Sequence, residues 1–129
     1  MAQYTRFEIY IPVVYHTRES DPGGQEFRRV HAIDPILLSR FVQETTETYG
    51  GFIQANPLLP VLYKGWWYQD SQKKLYVDHL TYLFGLVRID QTDDAAAFFA
   101  EWKRAFEEHL SQRIILIVYY TVQTMGDFF

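Results

Sequence analysis

The sequence predicts an α+β fold in which a four-stranded antiparallel sheet carries two helices on one face, in the chain order β-α-β-β-α-β. Three observations predict it. Two stretches place apolar residues at helical spacing between clear start and stop signals. Four stretches dense in Val, Ile, Tyr, Phe and Trp lie around them and read as strands. The chain has 129 residues and no repeat, low-complexity tract or internal linker, so one domain holds all six elements. Two helices cannot bury their stripes alone, and a sheet reached by right-handed crossovers offers both the same face.

Residues 6–15 read as the first strand, with Phe7, Ile9, Ile11 and Val13 on one side and Glu8, Tyr10, Pro12 and Val14 on the other. Pro12 cannot donate to a ladder, so a bulge or an unpaired edge is expected near it. Residues 16–33 read as a long loop around the turn signal Asp21-Pro22-Gly23-Gly24. Asp34 then caps a helix that Pro35 opens; Leu38, Phe41, Val42, Thr45 and Tyr49 form its apolar face, and Gly50-Gly51 stops it.

Asn56-Pro57 and Pro60 punctuate the next loop. Residues 61–69 and 75–89 read as two strands joined at Asp70-Ser71-Gln72-Lys73, and Gly85 is expected to mark a bulge in the longer one. Thr92 caps the second helix, with Asp93 and Asp94 at its positive end. Its stripe is Ala95, Phe98, Phe99, Trp102, Phe106, His109 and Leu110, which places His109 in the core or at its edge. Residues 113–122 form the last strand, and 123–129 a short tail ending in Phe128-Phe129.

In element order the chain resembles the ferredoxin-like α/β plait along nearly its whole length, a fold shared by many unrelated functions. The stretches Gly65-Trp66-Trp67-Tyr68 and Gln112-Arg113-Ile114-Ile115-Leu116-Ile117 look like small uncharacterised bacterial proteins of that fold, a likeness that implies no activity.

Composition removes several function classes. Ten Tyr, ten Phe and three Trp make the chain 18% aromatic, which excludes disorder. Zero Cys removes disulfides, thiolate nucleophiles and sulfur-ligated zinc. A net charge of −4 argues against nucleic acid as a partner. The strand 74–82 has aromatics but lacks the basic-Gly-aromatic opening of an RNA-recognition module. The first eight residues lack a basic segment followed by an apolar one, and no apolar run approaches the ~20 residues of a bilayer span, so the expected location is the cytoplasm and no membrane partner is expected.

The sheet poses a question of its own. In a lone plait the face away from the helices meets water and should read polar at alternate positions. Here Ile114, Leu116, Val118, Tyr120 and Val122 oppose Ile115, Ile117, Tyr119 and Thr121, and both sets carry large apolar groups. A second cover is expected. It is either another copy of the chain, packed sheet to sheet as in the dimeric α/β barrels this chain resembles at fold level, or the 16–33 segment with the Phe128-Phe129 tail.

Candidate site residues lie on those strands. His79 shares a face with Val77 and Thr81, where it serves either as a general base for a bound ligand or as a packed, hydrogen-bonded side chain. Asp78, its neighbour, shares the other face with Tyr76, Leu80 and Tyr82, and needs a Tyr or Arg donor if buried. Trp66 and Trp67 put one indole on each face, one for the core and one for a flat ligand or a partner. His16 and His31 sit among charges in the 16–33 segment, as part of a lid or simply solvated. No HxH or HExxH spacing, phosphate loop or nucleophile elbow occurs, so no metal and no cofactor are expected.

The expected function is that of a homodimeric binding or accessory domain using an aromatic sheet face, with a small apolar or aromatic molecule as a possible ligand. The alternative is a small cofactor-independent oxygenase or isomerase of the dimeric α/β barrel kind. Its pocket would be shaped by His79, Tyr76 or Tyr82, and Trp66 or Trp67.

Overall fold

In the computed structural model, which describes residues 2–54, 63–69, 74–110 and 115–126, one long strand organises the rest. This strand, β1, runs Ala2–Ser20. It is followed by β2 (Glu26–Ala32), α1 (Pro35–Tyr49), β3 (Phe52–Gln54), β4 (Tyr63–Gln69) and β5 (Lys74–Arg88). A single 3-10 turn at Ile89–Gln91 leads into α2 (Thr92–Leu110), and β6 (Leu116–Thr124) closes the sheet. No helix among the described residues is long and apolar enough to cross a membrane.

Every strand pairing is antiparallel. β1 pairs β5 on one side through residues 4–14 and β6 on the other through residues 2–10. Val14 stands opposite both Ala32 and His79, so β2 continues the edge that β6 begins. On the far edge β3 and β4 follow one another along β5. The six strands therefore fill four positions across one open sheet, β6 with β2, then β1, then β5, then β3 with β4. The expected architecture of four strand positions and two helices holds.

The helices start and stop where local chemistry says they should. The Asp34 carboxylate accepts the Ile36 N–H at 2.9 Å, and Pro35 occupies the first turn. Gly50, at φ 97°, ends α1 by donating its N–H to the Thr46 carbonyl. Asp93 and Asp94 sit in the first turn of α2. Thr92 departs from its expected capping role. Its hydroxyl donates to the Ile89 carbonyl at 2.8 Å and shares a 2.6 Å hydrogen bond with the buried Thr5, which ties α2 to β1.

The core lies between the helices and the odd-numbered positions of β1 and β5. Phe7, Ile9, Ile11, Leu83 and Val87 are buried against Leu38 and Phe41 of α1 and Ala95, Phe99 and Phe106 of α2. Phe99 is its aromatic centre, with ring centroids 5.0 Å from Phe7, 5.8 Å from Phe52 and 6.2 Å from Phe41. Both strand faces looked apolar in the sequence. The structure selects the odd one because Phe7, Ile9 and Ile11 run uninterrupted there, while the even one carries Arg6 and Glu8. His109, expected at the core, is exposed in the last turn of α2.

Three further expectations are corrected or refined. The 16–33 segment is not a loop but a hairpin, with Arg18 opposite Arg28 and Ser20 opposite Glu26. Its turn is the one the sequence signals. The Gly24 N–H donates to the Asp21 carbonyl, Gly24 takes φ 81°, and the Asp21 carboxylate accepts the Gln25 N–H at 2.8 Å. The bulge in the β1–β5 ladder falls between Pro12 and Val14, as Pro12 implies, and not at Gly85, which pairs regularly with Phe7. Gly85 serves a different purpose. A Cβ there would lie 2.6 Å from the ring of Phe52, so the glycine makes room for that ring. Finally, β6 reaches Thr124, which shortens the tail. The 70–73 turn, residues 113–114 and Phe128-Phe129 lie outside the described residues.

Candidate functional site

Three strands present the even face of the sheet, away from the helices, in successive rows. Arg6 lies between Leu86 and Tyr120, Glu8 between Phe84 and Val118, and Tyr10 between Tyr82 and Leu116. Opposed residues in an antiparallel ladder share a face, so these nine side chains form one field. Leu116, Val118 and Tyr120, on the edge strand β6, are 44%, 37% and 44% exposed. Tyr10, Tyr82, Phe84 and Leu86 are half-buried. Tyr82 lies 5.0 Å from Tyr10 and 5.4 Å from Phe84 between ring centroids.

At the centre of this field sits a polar cluster. The Arg6 Nε donates to Glu8 Oε1 at 2.9 Å, and an Arg6 terminal nitrogen donates to the Tyr82 hydroxyl at 2.8 Å. The Tyr120 hydroxyl donates to the same Glu8 oxygen at 2.6 Å. The guanidinium also lies 4.1 Å from the centre of the Phe84 ring, within cation–π reach. The hydrogen bond from Tyr120, with that from Arg6, holds the Glu8 carboxyl below its ordinary range against the opposing effect of desolvation. Tyr120 is pushed up in return, because ionising it would break the hydrogen bond it donates to Glu8 and place a phenolate against that carboxylate. Desolvation raises Tyr82, and Arg6 offsets part of that rise. At neutral pH the cluster is thus one cation, one anion and two protonated hydroxyls.

The residues expected to form a site are only partly brought together. Tyr82 is in this cluster. His79 is exposed, and its row, shared with Val14 and Ala32, lies past the bulge. By strand alternation it takes the opposite face from Tyr82. His31, half-buried, pairs with Tyr15 and is adjacent to Ala32, so by alternation it turns to the face away from His79. Trp67 pairs with Tyr76 and Trp66 with Val77 in the β4–β5 ladder, but the side chains of Trp66, Trp67, Tyr76 and Asp78 lie outside those described.

Sequence reasoning missed Arg6, Glu8 and Tyr120 as members of a site. A signal was present. Arg6 and Glu8 are two residues apart in a strand, so they share a face, and a charged pair in the middle of an otherwise apolar strand is a marked position. A shallow groove on α1, lined by Arg40, Gln43, Glu44 and Glu47, is the solvent side of an amphipathic helix, and Gln43 donates to Glu47 there. Among the described residues no three His, Asp or Glu side chains are placed to hold a metal ion. No protein-family model, curated protein or solved structure matches this chain.

Proposed function

We propose that the protein is a ferredoxin-like βαββαβ plait that acts as a homodimeric binding or accessory domain, with the even face of its sheet as the contact. The observation that carries this reading is the exposure of Leu116, Val118 and Tyr120 beside half-buried Tyr10, Tyr82, Phe84 and Leu86. The core cluster lies on the other face, and on this one only the end positions Tyr4, Pro12 and Leu80 are buried among the described residues of β1 and β5. The strand order, with β1 and β5 central and the last strand on one edge, supports the plait assignment.

A second copy fits this face by chemistry: the field on β6, β1 and β5 is apolar around its rim and balanced in charge at its centre, so it is complementary to itself. Aromatic and arginine side chains at the centre are the composition of such contacts. Sedimentation of the purified chain at micromolar concentration is expected to give a dimer, and Leu116→Lys a monomer of unchanged circular dichroism. A wild-type monomer overturns the reading.

The Arg6–Tyr82 hydrogen bond favours a second reading on the same face. A protonated Tyr82 flanked by Tyr10 and Phe84 is a general acid beside an aromatic wall. That is the equipment of a small cofactor-independent oxygenase or isomerase acting on an aromatic or apolar molecule held between two copies. Native mass spectrometry of freshly purified protein tests it, since a bound small molecule adds its mass to the dimer and an empty dimer counts against it.

A further inference from the structure

The charges on the even face select how two copies meet. This step rests on the homodimer reading above and adds its geometry. Arg6 and Glu8 lie two residues apart on β1, a central strand, 2.9 Å between Nε and Oε1, with their side chains 27% and 16% exposed. They are opposite charges at the middle of a field of apolar side chains. Any partner seated on this face brings its own groups against both of them while excluding water. Their in-chain pairing offsets part of the loss of water, and a partner that adds an opposite charge to each offsets more of it.

Two sheets facing each other across a two-fold axis have that axis in the plane between them, and only two orientations keep the strands aligned. With the axis parallel to β1, rows superpose on their own copies, so Arg6 faces the partner's Arg6 and Glu8 the partner's Glu8. Like charges then meet twice in a dry interface. With the axis at right angles to β1, crossing it at Phe7, the rows exchange. Arg6 then faces the partner's Glu8, and Glu8 faces the partner's Arg6. The same rotation sets Leu86 over the partner's Phe84 and Tyr120 over the partner's Val118, apolar surface on apolar surface.

We infer that the partner on this face is a second copy in the crossed-row arrangement, held in register by two reciprocal Arg6–Glu8 ion pairs about a two-fold axis at Phe7. The in-chain Arg6–Glu8 hydrogen bond pre-orients both groups. Each charge then has an opposite charge in its own chain and another across the interface, a four-membered alternating cluster in which no charge is left alone. Affinity comes mostly from the apolar surround, and orientation comes from the charges.

The test is a charge swap, Arg6→Glu with Glu8→Arg in one chain. This double variant keeps the in-chain pair and, in the crossed-row dimer, keeps the reciprocal pairs among its own copies. Mixed with wild type it faces Arg against Arg and Glu against Glu. Wild type labelled with ¹⁵N is equilibrated with unlabelled swap variant, and the dimers are weighed by native mass spectrometry. Labelled and unlabelled wild type serve as the exchange control, in which half of all dimers are mixed. The expected result is two homodimers with mixed dimers depleted roughly tenfold or more. Mixed dimers at the control level overturn the inference while leaving the homodimer standing, whereas a monomeric wild type removes both. Should the swap variant not fold, Glu8→Gln decides. Its dimer dissociation constant is expected to rise roughly tenfold, and an unchanged constant overturns the inference.

Discussion

Gly85 and Thr45 show how single atoms of the interior set stability here. Gly85 sits across the ladder from Phe52, and the ring of Phe52 fills the space its missing Cβ leaves. Gly85→Ala would put a methyl 2.6 Å from that ring. Phe52 is packed in turn on Phe99, so it has little freedom to withdraw. A destabilisation of about 1–3 kcal/mol is expected from urea unfolding. The double variant Gly85→Ala/Phe52→Leu should recover part of it, because the obstacle is the ring and not the backbone. Thr45 presents the converse case. It is fully buried on the core side of α1, and its hydroxyl has no partner among the described residues. Thr45→Val keeps the shape and removes the unsatisfied group, so the midpoint of unfolding should stay or rise, by up to about 1 kcal/mol in stability. A clear loss at Thr45→Val would mean that the hydroxyl makes a bond in solution. Neither role is legible in the sequence, where Gly85 reads as a bulge and Thr45 as one more position on an apolar stripe. Close approach and orphaned donors are facts of tertiary contact.

The elements that the sequence reveals are those with a buried face. α1 matches its stripe and end signals, and α2 its stripe as far as Phe106, since burial imposes the helical period. β1 shows its alternation through residue 13 because its odd positions meet the helices. Past the bulge that imposition ends. Residues 15–20 pair only with β2 among the described residues, so neither face is held to a period of two. The hairpin is therefore polar and irregular, and only its Asp21-Pro22-Gly23-Gly24 turn is readable. β3 escapes notice for a related reason: three residues are too few to display alternation, and its pairing with residues 83–85 is what defines it. A two-stranded ribbon extending from a sheet is marginal by itself. Amide hydrogen exchange should accordingly protect residues 5–11 of β1 to nearly the full unfolding free energy. Residues 16–19 and 27–31 should open at a much lower free energy. Uniform protection along β1 would show that something covers the ribbon in solution.

At the scale of the whole molecule, a central strand serves two environments. One side of β1 anchors the core with Phe7, Ile9 and Ile11; the other displays Arg6 and Glu8 amid aromatic rings. That second face was legible in outline, as excess apolar surface, but its charged centre was not, because pairing across strands depends on register, which alternation alone does not supply. The centre gives stability a defined pH dependence. The folded chain holds Glu8 below its ordinary carboxyl value, so as pH falls the unfolded chain takes up this proton first. Stability from Glu8 is therefore fully present above the ordinary value and is lost as pH falls through the folded one. Tyr82 and Tyr120 are both held high, so their contribution is present below the ordinary phenol value and is lost in strong alkali. Glu8 contributes to the acid limb through Tyr120 and Arg6, and variants isolate that contribution. Tyr120→Phe removes the hydrogen bond with the largest effect on Glu8 and should flatten the decline between about pH 5 and pH 3, by lowering stability at neutral pH while leaving the acid end nearly unchanged. Glu8→Gln should abolish that part of the decline and also lower stability at neutral pH, because Arg6 loses its counter-charge. Thermal melts of the three chains across that range, each at several protein concentrations, distinguish a slope that belongs to the fold from one that belongs to association. If the wild-type slope survives Glu8→Gln unchanged, the acid sensitivity originates elsewhere and this cluster is electrostatically idle.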